Sequence, residues 1–144
     1  MTEWLAQYVQ VLEQLSPDNL DRLNAVTAEQ IEFKDPFNHT TTRTELIALM
    51  ADMFAKLNEV HFDVHQASGS GQQGMLYWTF SGHSKLTGRV EIKGMSQIVA
   101  DQSGRVILHH DFWDGSEMMQ KVPWLGALIG WLRSKFAHKP RLVK

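Results

Sequence analysis

The sequence predicts an α+β fold, a roll in which N-terminal helices pack on a strongly curved, mainly antiparallel sheet. Three observations predict it. Apolar residues recur at helical spacing through about residue 57, then alternate from there to about residue 114. The strands of that second stretch are joined by turns too short for crossover helices, so successive strands must pair antiparallel.

Each element follows from its own pattern. Trp4, Leu5, Tyr8, Val9, Leu12 and Leu15 recur every three or four residues, which predicts an amphipathic first helix. Ser16-Pro17-Asp18 supplies an N-cap, a proline at the first helical position and an acid, so a second short helix should carry Leu20 and Leu23. Ile31 and Phe33 alternate with Glu32 and Lys34 in a short strand that Asp35-Pro36 must end, because proline restricts the residue before it. Thr42-x-x-Glu45 has the form of a capping box, and Leu46, Ile47, Leu49, Met50, Met53, Phe54 and Leu57 give a third helix its apolar stripe. Val60, Phe62 and Val64 then alternate with His61, Asp63 and His65 in a strand. A glycine-rich turn at 69–74, strands from Leu76 to His83 and from Arg89 to Ala100, a turn at Asp101-Gln102-Ser103-Gly104 and a last strand from Arg105 to Trp113 complete a meander.

Composition bounds the function. The chain has 144 residues, 43% of them hydrophobic, which suits one compact domain with an adequate core. Residues 1–115 are read as an α+β domain and residues 116–144 as its C-terminal helical extension. With 14 Lys+Arg against 16 Asp+Glu and no run of like charges, the chain offers no footprint for a nucleic-acid backbone, which usually needs a clustered basic face. Without Cys there is no disulfide or thiolate, and nothing demands an oxidising compartment, so a cytoplasmic setting is expected. The longest uncharged apolar stretch, Val122 to Leu132, is far short of the ~20 residues that cross a bilayer.

Residues two apart on a strand share a face. His109, Asp111 and Trp113 therefore point one way, with Val106, Leu108, His110 and Phe112 opposite them. Apolar residues on both faces imply that both are covered, one by the helices and the other by a second subunit, which makes a homodimer the expected assembly.

A carboxylate among aromatic neighbours must be paired, hydrogen-bonded or protonated, and such burial tunes it for proton transfer. Asp111, flanked by His109 and Trp113, is the leading candidate, and a structural hydrogen bond is the competing reading. Asp35 before Pro36 reads first as a turn residue capping its own backbone. His61-x-Asp63-x-His65 aligns three potential ligands, yet a strand with one apolar face usually carries such a polar outer stripe, so no metal is expected. Trp4, Tyr8, Trp78 and Phe80 read as core. The stretch from Pro123 to Phe136 reads as a broad amphipathic helix followed by basic residues. Its two glycines and few polar-face charges favour docking on the domain, or closing a pocket mouth, over membrane contact.

Two segments carry a resemblance. Ile31-Glu32-Phe33-Lys34-Asp35-Pro36-Phe37 followed by a Thr-capped helix, and Gly104-Arg105-Val106-Ile107-Leu108-His109-His110-Asp111-Phe112-Trp113, together with the element order over residues 4–115, resemble the nuclear transport factor 2-like superfamily. The likeness is to its SnoaL-like polyketide cyclase and ketosteroid isomerase branches. The resemblance implies a cone-like roll enclosing an apolar pocket. It lifts Asp35 to the place of the isomerase general base, matches Asp111 to the SnoaL-like acid/base, Trp113 to a pocket-lining Trp, and Tyr8 to an oxyanion-binding Tyr. The isomerase oxyanion hole also uses a protonated acid, and the matching position here holds Ser96.

The expected pocket is lined by Trp4 or Tyr8, Leu76, Trp78, Ser96, Ile98 and Trp113, with Asp35 and Asp111 reaching inward. It would take a small hydrophobic molecule bearing a few oxygens. Two readings stay open. In one, Asp111 oriented by His109, or Asp35, removes a proton while Tyr8 and Ser96 stabilise negative charge, without a cofactor. In the other, the same acids are hydrogen-bonded structure in a ligand-binding or dimeric module.

Overall fold

A computed structural model describes residues 1–119 and 123–137 and divides the chain into two compact units, residues 1–114 and the residues from Gly115 onward. The first unit is α+β. Helix α1 (Glu3–Gln14) buries Leu5, Tyr8 and Val11, and a Glu13 carboxylate oxygen accepts from the Val64 amide at 3.0 Å. The second expected helix is shorter than its N-cap signal suggests. Asn19 Oδ1 accepts from the Ser16 amide, and only a 3₁₀ turn at Leu20–Arg22 and a single turn, α2 (Leu23–Val26), follow. Helix α3 (Arg43–Lys56) begins as its capping box predicts, with the Thr42 hydroxyl accepting from the Glu45 amide at 3.2 Å. The returning arm is displaced by one residue, because Glu45 Oε2 accepts from the Thr41 amide.

Six strands follow the order β2-β1-β6-β5-β4-β3 in one sheet. They are β1 (Thr27–Lys34), β2 (His39–Thr40), β3 (Asn58–Ser70), β4 (Gln73–Ser84), β5 (Gly88–Ala100) and β6 (Val106–Phe112). Strands β3 to β6 form the expected antiparallel meander. The β3–β4 hairpin turns on Gly71-Gln72, with Gly71 at φ 60°, a value glycine adopts without strain. Strand β1 is longer than its apolar alternation suggested and pairs parallel with β6. That one parallel pairing sets Lys34 opposite His110, so the residue that follows β1, Asp35, lies level with Asp111.

A bulge changes the faces of the last strand. Val99 pairs Leu108 and Ala100 pairs Val106, leaving Ile107 as an extra residue. Val106 is therefore buried together with His109, not turned to the opposite face as strict alternation predicts, while Ile107 is exposed. The inner face carries Ile31, Phe33, Leu76, Trp78, Val90, Ile92, Ile98 and Val106, all buried. Helix α1 packs on β3 and α3 on β1.

The second unit contains α4 (Ser116–Met119) and α5 (Pro123–Phe136). Among the described residues no helix is long and apolar enough to cross a membrane.

Candidate functional site

The candidate site is organised by a chain of hydrogen bonds across four elements. Trp78 on β4 donates its indole N–H to Ser96 Oγ on β5 at 2.8 Å. Ser96 donates to Asp111 Oδ1 on β6 at 2.5 Å. His109 Nε2 lies 2.7 Å from the same Asp111 oxygen, and His109 Nδ1 lies 2.7 Å from the Tyr8 hydroxyl on α1. The proton positions follow from chemistry. With Asp111 ionised and the ring neutral, Nε2 carries the ring proton toward the carboxylate and Nδ1 accepts from Tyr8. His109 is fixed further between the rings of Tyr8 and Phe33, at centroid distances of 5.7 and 5.1 Å.

Burial and then the Asp111 charge push the Tyr8 hydroxyl far above the ordinary tyrosine range, which keeps it a donor. Asp111 is held asymmetrically. Its Oδ1 accepts from both Ser96 and His109, whereas Oδ2 has no hydrogen-bond partner among the described residues.

Asp111 lines a cavity of about 310 Å³ together with Lys34, Asp35, Pro36, His110, Phe112 and Trp113. Both candidate acids thus border one space, brought there by the parallel β1–β6 register. They are held very differently. Asp35 Oδ1 accepts from the amides of Phe37 and Asn38, at 2.8 and 2.7 Å, and from the Asn38 side chain, which also reaches Oδ2. This is an Asx turn that ends β1 and starts the path to β2. At the cavity, Trp113 meets Phe37 edge to face at 5.5 Å.

The remaining predicted residues lie elsewhere. Tyr8, Leu76, Trp78, Ser96 and Ile98 are buried, none more than 3% exposed, and are not among the residues lining this cavity. Trp4 sits by the β3–β4 turn and donates its indole N–H to the Gly71 carbonyl at 2.7 Å. The hydroxyls of Tyr8 and Ser96, expected to face a developing negative charge, are hydrogen-bonded to His109 and Asp111 instead. His61, Asp63 and His65 are exposed, and His65 meets the Thr79 hydroxyl at 2.6 Å. Among the described residues no group of three His, Asp or Glu could hold a metal.

Sequence reasoning missed Lys34, His110 and Phe112 as cavity neighbours. Lys34 comes near Asp111 only through the β1–β6 pairing, and strand alternation turns His110 and Phe112, the chain neighbours of Asp111, to the opposite face. His110 Nε2 is buried 3.5 Å from Glu32 Oε1 and makes no hydrogen bond among the described residues. A hydrogen bond from His39, and then the neighbouring His110, hold the Glu32 carboxyl below its ordinary range.

Residues 6–113 match the SnoaL-like domain family. Among solved structures, an NTF2-like protein of unknown function from Burkholderia pseudomallei is 15% identical, with a TM-score of 0.74 over 85% of this chain and 99% of that one. A Catenulispora acidiphila protein of ketosteroid isomerase-like fold, in complex with trimethylamine, is 15% identical, with a TM-score of 0.71 over 85% and 95%. An LEH-like epoxide hydrolase from M. tuberculosis is 16% identical, with a TM-score of 0.69 over 92% and 96%. At these identities the likeness is one of fold. No curated protein matches the chain.

Proposed function

From the chain's membership of the SnoaL-like domain family, we propose that it binds a small, largely apolar, oxygen-bearing molecule beside Asp111 and acts on it by acid–base catalysis without a cofactor. The observation that carries this reading is the asymmetry of Asp111, a residue of the cavity wall whose Oδ1 is pinned by Ser96 and His109 while Oδ2 has no hydrogen-bond partner among the described residues. A carboxylate so held has a fixed orientation and a lone pair to offer, which is what a general base needs. Oδ2 takes a proton from a carbon beside a carbonyl, leaving the electron pair on the substrate as an enolate, or takes one from a water that attacks an electrophilic carbon. The first step belongs to isomerase and cyclase chemistry and the second to epoxide hydrolysis. His109 and Ser96 act as positioning residues. At about 310 Å³ the cavity lies at the small end of ligand sites, and Pro36, Phe112 and Trp113 give it apolar walls.

A non-catalytic binding module is the second reading. What favours it is that the Tyr8 and Ser96 hydroxyls are already engaged by His109 and Asp111. In either reading a second copy covers the outer face of the sheet.

The test compares wild type with Asp111→Asn on a panel of small β-dicarbonyl compounds and epoxides. Asparagine keeps an oxygen for Ser96 and His109 but loses the basic lone pair. Turnover should fall by roughly 10²–10⁴-fold while calorimetric affinity is retained. Equal turnover by the two proteins sinks Asp111 as the base, and affinity without turnover on the whole panel leaves the module.

A further inference from the structure

Charge is distributed along this chain in a way its near-neutral total conceals. Glu117 is the last acidic residue, and residues 118–144 carry Lys121, Arg133, Lys135, Lys139, Arg141 and Lys144. The helix within this cationic segment, α5, has an apolar face. Leu128, Trp131, Leu132 and Phe136 recur at spacings of three and four, so they share one side, and they are 49%, 55%, 41% and 86% exposed. Lys135 Nζ lies 5.5 Å from the centre of the Trp131 ring.

From these observations we propose that α5 is an interfacial helix that lays its apolar face on an anionic lipid surface. Charge complementarity selects an anionic partner, and the apolar face selects lipid over nucleic acid or an acidic protein. A phosphate backbone or an acidic peptide would use the cations but leave Trp131, Leu132 and Phe136 in water. At a bilayer the indole and the apolar side chains enter the boundary between headgroups and acyl chains, while the Lys and Arg heads remain among the lipid phosphates. The helix has 14 residues, too few to span and enough to lie flat.

The experiment is flotation of the full chain with vesicles of pure phosphatidylcholine and with vesicles that also contain phosphatidylglycerol. Wild type should float with the anionic vesicles, far less with the neutral ones, and less as salt is added. Trp131→Glu/Phe136→Glu should stay in solution with an unchanged far-ultraviolet circular dichroism spectrum. Lys135→Gln/Arg141→Gln keeps the apolar face and should partition roughly thirtyfold more weakly, as expected for two charges close to an anionic leaflet. The proposal is overturned if wild type stays in solution with anionic vesicles at low salt. It is equally overturned if the Trp131→Glu/Phe136→Glu variant floats like wild type, since attraction by charge alone needs no helix face.

Discussion

Tyr8 and His109 stand 101 residues apart and share a buried hydrogen bond of 2.7 Å between the phenol oxygen and Nδ1. This bond joins the first helix to the last strand of the sheet, and it holds in place the ring that meets Asp111. Fold stability and site geometry are therefore coupled through one hydroxyl.

Tyr8→Phe tests that coupling. At neutral pH the variant leaves Nδ1 buried without a donor, which should lower the stability measured by urea unfolding by about 1–3 kcal/mol. The difference should shrink in alkali. Burial and the Asp111 charge hold the Tyr8 hydroxyl above its ordinary value. Above a pH of about 10 the unfolded chain therefore gives up a proton that the native protein keeps. Native protein then binds more protons than unfolded, so stability falls as pH rises, by up to about 1.4 kcal/mol per pH unit. The phenylalanine variant lacks this slope. A gap between the two proteins that stays constant from neutral to strongly alkaline pH would show that the hydroxyl is not held in its neutral form.

Asp35 separates into two roles that two substitutions distinguish. Its Oδ1 accepts three hydrogen bonds in the turn after β1. Asp35→Ala removes all of them and should lower stability by about 0.5–2 kcal/mol, the range seen when a side-chain cap is lost. Asp35→Asn keeps the oxygen, so its midpoint in urea should stay close to wild type. If Asp111 is the base, Asp35→Asn also keeps turnover within a few-fold. A hundredfold loss in that variant would instead make Asp35 the proton acceptor.

The physics of single elements was legible in the sequence, and the physics of their pairing was not. Period two places His109, Asp111 and Trp113 on one face, because alternation is a local property. The extra residue at Ile107 escaped the same rule, since a bulge depends on the partner strand. Strand β1 begins with Thr27, Ala28, Glu29 and Gln30, which have no alternation to read, so neither its length nor its parallel pairing with β6 could be foreseen. That pairing brings Lys34 and His110 to the cavity. The bond from Trp78 to Ser96 was equally invisible, because it needs an indole to cross a neighbouring strand.

The outer face of the sheet tests the expected assembly. Tyr77 pairs with Met95, and Met95 with Phe112, in a row across β4, β5 and β6, and all three are exposed, Phe112 at 60%. A second copy seated on this row would remove it from water. Met95→Lys puts a charge at its centre and should convert a dimer to monomer in sedimentation velocity runs, with the fold intact by circular dichroism. A wild-type chain that sediments as a monomer at every accessible concentration would end the dimer reading.

Gly94 shows how one missing methyl group supports the whole network. It pairs with Trp78 across β4 and β5, and a Cβ built at Gly94 would lie 2.5 and 2.6 Å from two atoms of the Trp78 ring. The indole therefore lies over the glycine, which lets its N–H reach Ser96 two residues further along β5. Gly94→Ala should push the ring away, with an overpacking penalty of about 1–3 kcal/mol. The displaced ring can no longer donate to Ser96, whose hydroxyl then loses the partner that orients it toward Asp111. The variant should accordingly be less stable in urea and show altered near-ultraviolet circular dichroism. Its turnover should drop in kcat more than in KM, because Asp111 stays in place while its orientation loosens. Trp78→Phe supplies the control, since it removes the donor without crowding the glycine. It should reproduce the kcat loss with a smaller change in stability. If Gly94→Ala matches wild type in both measurements, the ring has room to spare and the network does not depend on its position.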